Sequence, residues 1–422
     1  MARVRSDRHP GPVLKALRLL VALATAMAAA VVAMPAVAWF TAEPVLFLGA
    51  GWSTAVVVWL SACRLSRSCP RRQQLIGVAG LSAILATGLV PLHDTVTPPA
   101  TPPGAGRWSL PDGGSLAYGV VHAAAGAVAA TPVVVVHGGP GVPDLNGVLT
   151  ALAPLAADGH DVWAYAQRGS GNSSRLTDPR GYTIARAVED LDQVRLQTGA
   201  RQLILVGHSY GAFVVAAYLA AHPDHVAMVV FSSPGDLRLG GVGGSPQSRL
   251  DLGRRLQTYA LLTSTRALLT YALVQVNPAA ARAIAGDREV DARQDRVYAA
   301  TEPAMHCPGH NGPALHGLGF YANQVPQSLR RPDVPDVGAA LRGTRVPALV
   351  LKGECDYLSW ESAVTYLDTF ADSQLSYLPG AGHDAYVDRP DLYLTAVRAF
   401  VAGATVPGTL VDPRQPPHGY QP

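Results

Sequence analysis

The sequence predicts an α/β fold: a mostly parallel sheet with helices on both faces, a helical cap, and three transmembrane helices ahead of them. Three observations carry this. Strand-like and helix-like runs alternate after residue 107, the alternation lapses between 236 and 342 before resuming, and three charge-free runs open the chain. Strands separated by helical segments imply βαβ units and a parallel sheet.

The charge-free runs cover 19–40, 44–63 and 75–92, and each is about long enough to cross a bilayer core as a helix. The first ends in "AMPAVAWF", which offers a small-x-small signal-cleavage site. Two more runs follow at once, so residues 1–94 are expected to be a membrane anchor. Basic residues flank the cytoplasmic ends of spans. Arg3, Arg5, Arg8, Lys15 and Arg18 precede the first run, and Arg64, Arg67, Arg71 and Arg72 separate the second from the third. Only Glu43 lies between the first two, and His93 and Asp94 follow the third. The N-terminus is therefore expected inside and everything after Leu92 outside, which places the chain in the cell membrane with an extracytoplasmic main domain. Residues 1–74 carry nine Lys/Arg and two Asp/Glu, a balance of +7, so a total of +3 leaves the remainder at −4. The basic charge belongs to the anchor, and no nucleic-acid partner is expected.

Four cysteines are too few for a disulfide scaffold. Cys63 and Cys69 fall near the cytoplasmic loop, while Cys307 and Cys355 lie where a disulfide would persist. Whether that pair bonds stays open at this point.

"TVTPPATPPGAG" (95–106) is a stiff, extended spacer. Residues 107–235 and 343–404 are expected to form the α/β core. "VVVVH" (133–137) reads as a buried strand and "DVWAYAQ" (161–167) as a second. "IARAVEDLDQVRLQTGA" (184–200) is an amphipathic helix with Ile184, Val188, Leu191 and Val194 at helical spacing. "QLILVG", "HVAMVVFSSP", "VPALVLKG" and "QLSYLPG" supply further strands. Residues 236–342 read as a helical cap. Within it 258–276 is nearly apolar, but Arg266 would be costly in lipid, so it is expected in the cap and not as a fourth span. Residues 405–422 are expected to be a flexible tail.

"GHSYG" (207–211) fits G-x-S-x-G, with a strand before it and a helix after it, the setting of a nucleophile elbow. Flanking glycines are needed because the turn is tight. Ser209 is the expected nucleophile, and a serine hydroxyl needs a base to take its proton. His383, in the Gly-rich loop "LPGAGHDAY" before the last helix, is the expected base. Asp356 in "ALVLKGECDYLS", just past a strand end, is the expected acid that holds the imidazole. Glu354 is second choice, and Asp384 is too close to His383 in sequence. The backbone N–H groups of Tyr210 and Gly139 are expected to form the oxyanion hole, with Gly138 the alternative to Gly139.

"HGGPG" (137–141), "AQRGSGNSS" (166–174), "EDLDQVR" (189–195) and "GHSYG", in this order, resemble the α/β-hydrolases of the proline iminopeptidase group over roughly residues 107–403. The resemblance implies an α/β-hydrolase fold, a serine hydrolase with the order Ser209, Asp356, His383, and no cofactor. It also shows departures. That group usually has Asp-Gln-Arg-Gly where this chain has Ala166-Gln167-Arg168-Gly169. Its elbow usually reads Gly-Gly-Ser-Trp-Gly, whereas His208 and Tyr210 are closer to esterases. Its cap carries Trp-x-x-Trp-Glu, whose Glu helps bind a free amine, and the nearest equivalent here is Glu302 in "YAATE". Membrane-anchored aminopeptidase is the expected function, on a peptide or small-molecule substrate. A carboxylesterase or lipase-like enzyme is the alternative, and an inactive sensing domain a third reading that the intact Ser, His and Asp argue against. "MHCPGH" (305–310), with His316 nearby, matches no standard zinc spacing, so no metal is expected.

Overall fold

The computed structural model describes residues 12–66, 69–91, 95–126, 130–237, 244–329 and 336–421. Arg3, Arg5, Arg8, Arg67, His93 and Asp94, used above for orientation, lie outside them.

The chain separates into two units: Met1–Leu92 with Thr263–Gly286, and His93–Leu262 with Asp287–Pro422. The second unit is built on an eight-stranded sheet, β1 (Gly106–Ser109), β2 (Ser115–Val121), β3 (Val133–Val136), β4 (Val162–Tyr165), β5 (Leu203–His208), β6 (Val226–Ser232), β7 (Ala348–Gly353) and β8 (Ser373–Leu378). Their spatial order is β1-β2-β4-β3-β5-β6-β7-β8. β1 and β2 pair antiparallel, β2 meets β4 antiparallel, and β3 to β8 are parallel. Such a sheet must be covered on both faces. β5 shows why: Leu203 and Leu205 face one core, with Phe213 and Phe231, while Ile204 and Val206 face the other, with Val135 and Leu351.

The hairpin β1–β2 was not foreseen. The strands turn at Asp112-Gly113, where Gly113 has φ +81° and Asp112 Oδ1 accepts the Gly114 N–H at 3.0 Å. That is local turn chemistry and not periodicity.

In chain order the helices are α1 (Pro12–Ala38), α2 (Pro44–Ser66), α3 (Arg71–Leu89), α4 (Leu145–Leu152), α5 (Ile184–Gln197), α6 (Tyr210–Ala221), α7 (Leu252–Leu262), α8 (Thr265–Val276), α9 (Pro278–Ile284), α10 (Asp287–Thr301), α11 (Phe320–Gln324), α12 (Val337–Leu341), α13 (Trp360–Thr369), α14 (Ala385–Asp388) and α15 (Pro390–Val401). α4 to α6 and α13 to α15 accompany the sheet, and α7, α10 and α11 belong to the cap.

The first unit holds α1 to α3 with α8 and α9. Among the described helices two, Val13–Ala38 and Pro44–Leu65, are long and apolar enough to cross a membrane. α3 is 19 residues, and Arg71, Arg72, Gln73 and Gln74 occupy its first turn. Ala26, Ala30, Ala55, Trp59, Cys63 and Leu81 form the unit's buried cluster, and Cys63 is bonded to Cys69.

Two expectations need correction. The stretch 236–342 is helical, but Thr263–Gly286 joins the N-terminal helices and leaves the rest of the cap. Arg266 is satisfied there by backbone carbonyls, Gly88 O at 3.1 Å and Ile284 O at 2.6 Å. The expected flexible tail also packs: Trp360 Nε1 donates to Pro413 O at 3.0 Å, Tyr420 OH to Leu358 O at 2.7 Å, and Gln421 N to Glu354 O at 2.9 Å. Its prolines looked like disorder, yet they bring a tyrosine ring under β7.

Candidate active site

β5 runs into α6 through one residue, Ser209, with φ 53° and ψ −117°. A positive φ is costly for a residue with a Cβ and is kept where the surroundings over-determine it. The glycines on either side supply that tightness. A Cβ on Gly207 would lie 2.6 Å from Ala212 Cα, and one on Gly211 would overlap the carbonyl oxygen of Val136 in β3. The Ser209 N–H donates to Ser232 O at 2.9 Å, tying the turn to β6. Ser209 is 9% exposed, and Tyr210 begins the helix behind it, so its N–H is one of the groups a helix start leaves without an intrahelical partner.

β7 and β8 deliver the other two groups. Asp356 follows the end of β7 and is fully buried, and His383 follows β8 and is 4% exposed. His383 Nδ1–H donates to Asp356 Oδ1 at 2.8 Å. The same oxygen accepts the Leu358 N–H at 3.1 Å, and Oδ2 accepts from Lys352 Nζ at 2.7 Å. Burial alone would raise Asp356, but Lys352 first and His383 next hold its carboxyl well below the ordinary 3.8. Lys352 projects from β7 itself and donates also to Leu358 O at 2.8 Å. Glu354 points elsewhere and accepts the Gly380 N–H at 2.8 Å. Asp384 accepts from His208 Nε2 at 3.0 Å. Beside His383 stand the rings of Tyr357, at 4.5 Å, and His208, at 4.9 Å.

The loop after β3 closes on the serine. A Cβ on Gly138 would lie 2.8 Å from Ser209 Cβ, so only glycine lets the backbone come this near. Gly139 follows with φ +113°. His137 braces the loop: its Nδ1–H donates to Gly138 O at 2.9 Å, and its Nε2 accepts the Gln167 N–H at 2.9 Å. Burial holds His137 down to about 4, so it is neutral, as that pattern requires. Gln167 and His137 make these contacts beside Ala166, the position where the resemblance led one to expect Asp.

A family profile described as alpha/beta hydrolase fold matches residues 131–390, more than half of the chain. The chain belongs to the alpha/beta hydrolase family. A proline iminopeptidase of Heyndrickxia coagulans is 40% identical over 104 residues, 25% of this chain and 35% of that protein. Epoxide hydrolase B of Mycobacterium tuberculosis is 38% identical over 97 residues, 22% of this chain and 27% of that one. The hydrolase thus spans about a third of the length of the curated relatives it matches. Among solved structures, an esterase from Rhodococcus sp. ECU1013 shares 24% identity, with 72% of this chain and 100% of that one covered and a TM-score of 0.48.

In this hydrolase the cap residues 302–307 press on the His383 loop. The His383 N–H donates to Met305 O at 2.6 Å, and Cys307 is bonded to Cys355, next to Asp356. Arg249 donates to the carbonyl oxygens of Ala304, at 3.0 Å, and of Cys355. His306, fully buried, donates from Nδ1 to Asp388 Oδ1 at 2.6 Å. Burial lowers the His306 imidazole, but Asp388, Asp384 and Glu302 outweigh it and hold it above the ordinary 6.5. Glu302 Oε1 accepts the Gly312 N–H and lies 3.0 Å from His306 Nε2, out of line for a hydrogen bond. Sequence reasoning missed Lys352, His137 and the His306–Asp388 pair. "HGGPG" contained a signal for His137; nothing local marked the others.

In "MHCPGH", Cys307 is spent on the disulfide and His306 on Asp388. Among the described residues His208, His383 and Asp384 present ligand atoms within 4.8 Å of one another. Each already has a hydrogen-bond partner: His383 bonds Asp356, and His208 bonds Asp384.

Proposed function

We propose that this hydrolase is a serine enzyme anchored in a membrane, acting as an aminopeptidase of the proline iminopeptidase kind. Two observations carry the serine chemistry: a positive-φ Ser209 at the end of β5, and a His383 held by Asp356 at 2.8 Å. Ser209 Oγ attacks the substrate carbonyl, and His383 Nε2 takes the proton. Asp356 orients the imidazole and stabilises its cation. The N–H groups of Tyr210 and Gly139 receive the oxyanion. The C–N bond then breaks as His383 returns its proton to the leaving amine, and water releases the acyl group by the same steps. The epoxide hydrolase likeness does not extend to an aspartate nucleophile, since the elbow carries Ser209.

Glu302 is the residue proposed to pair with the substrate's free amine. Its engagement by Gly312 and His306 favours the second reading, an esterase that needs no amine contact. Initial rates on a prolyl anilide with a free amine, its N-blocked form, and short acyl esters separate the two. Turnover of esters without the free-amine anilide overturns the peptidase reading. Ser209→Ala should lower every rate by about 10⁴-fold or more, and retained activity would overturn the mechanism.

For the membrane we propose three spans with the N-terminus inside. The α8–α9 segment bonds Gly88 O at the C-terminal end of α3 and Ala38 O at that of α1, so both helices end on one side, as three spans require. The loop holding Cys69 and the catalytic unit are then on opposite sides, and only the Cys307–Cys355 bond faces an oxidising compartment. After a membrane-permeant reductant has opened the Cys63–Cys69 bond, an impermeant thiol reagent on whole cells should leave Cys63 and Cys69 unlabelled, and permeabilised cells should label them. Labelling of intact cells would reverse the topology.

A further inference from the structure

From residue 97 onward seven large hydrophobic side chains are exposed among the described residues, and four of them, Leu252, Leu256, Tyr259 and Leu268, fall within seventeen positions. Three are on α7 at helical spacing: Leu252 is 71%, Leu256 59% and Tyr259 51% exposed. Residues four and seven apart share one face of a helix, so α7 carries a continuous apolar stripe on its outer side. Its charged residues are turned away from the stripe: Arg254 lies 3.9 Å from Asp251, and Arg255 donates to Leu250 O at 3.0 Å.

An exposed apolar stripe of this kind is what a helix lying in a bilayer interface presents, with its leucines among the acyl chains. The chain connection points the same way. Leu262 ends α7 and is followed directly by Thr263–Gly286, the segment that packs with the N-terminal helices. That segment bonds the C-terminal ends of α1 and α3, which the proposed topology puts at the outer face. We infer that α7 is an interfacial lipid-binding helix of the cap, seated in the outer headgroup layer through Leu252, Leu256 and Tyr259. The inference rests on the membrane-anchored reading. It makes the cap a surface contact with lipid as well as a cover for the site.

The test uses the full chain in nanodiscs of phosphatidylcholine and phosphatidylglycerol, in a Cys63→Ser/Cys69→Ser background. An environment-sensitive fluorophore is placed at Leu256→Cys, at Leu252→Cys, or at Leu196→Cys, an exposed leucine on α5 that serves as the control. Nitroxide-bearing lipid should quench the two α7 probes severalfold more than the α5 probe, and aqueous iodide should do the reverse. Equal quenching at all three positions in a chain that stays with the membrane overturns the inference and spares the anchoring. Shielding from both quenchers at Leu256 means that protein, such as a second copy, covers the stripe, and this also overturns it. A chain that alkaline carbonate strips from native membranes overturns the anchoring reading and the inference with it.

Discussion

Replacing Lys352 by Met tests the support beneath the proposed acid. Met keeps most of the stem and removes the ammonium that lies 2.7 Å from Asp356 Oδ2. Both side chains are fully buried, so no water stands ready to replace the lost donor. Breaking a buried pair by removing one partner costs about 3–5 kcal/mol, and the completeness of burial here puts the expectation at about 4 kcal/mol. For a core of this size, about 2 °C per kcal/mol makes that a fall in Tm of about 8 °C. The pH dependence gives a second, sharper signature. In the native protein the Asp356 carboxyl is depressed below 3.8, so its stabilisation is full above that pH and is lost as pH falls through the folded value. In Lys352→Met the burial that dominates Asp356 is no longer offset by an ammonium, and its carboxyl is pushed up. The charged form then costs more as pH rises, so the gap between variant and native protein should be widest near neutrality and narrow toward about pH 4. Thermal unfolding of the full chain in detergent across that range reads both. A variant within about 1 kcal/mol of the native protein, with no pH trend, would refute the reasoning and mean that Asp356 does not depend on Lys352.

Other outcomes follow from single contacts. The Cys307–Cys355 bond closes 48 residues, which in the loop-entropy account is about 4 kcal/mol; Cys307→Ala/Cys355→Ala should melt earlier by about that much, and an unchanged melt would show the cap held without it. Gly211→Ala puts a methyl group into the carbonyl of Val136, a backbone clash expected to cost at least about 3 kcal/mol and visible as lost soluble expression or a lowered melt. His306 is held above 6.5 by its carboxylate neighbours, so its clamp on Asp388 is full below that pH and is lost as pH rises through the folded value. Amide exchange in 302–312 should therefore speed up at alkaline pH, beyond the intrinsic rise, and His306→Gln should remove that excess.

Much was legible in the chain because the signals were local. Four valines in a row made β3, the 3.6 spacing of Ile184, Val188, Leu191 and Val194 made α5, and the glycines around Ser209 announced a turn that tolerates no side chains beside it. Asp356 and His383 were readable too, as residues just past strand ends. What stayed hidden depends on neighbours distant in sequence. His306 meets Asp388 across 82 positions, and Tyr420 reaches Leu358 across 62. Neither pair leaves a period or a motif, because the burial that makes each useful exists only after the sheet has brought the loops together.

The sequence by itself determined the order of strands and helices from β3 onward, the elbow, the candidate triad and the apolar N-terminus, all of which follow from residue type and short spacing. Only the tertiary structure decided that Thr263–Gly286 joins the N-terminal helices, that the proline-rich tail packs under β7, and that Lys352 faces Asp356. Those depend on which desolvated groups find partners. Arg266 is kept by two carbonyl oxygens, and Lys352 by one carboxylate and the Leu358 carbonyl, and such pairings exist only in the folded chain.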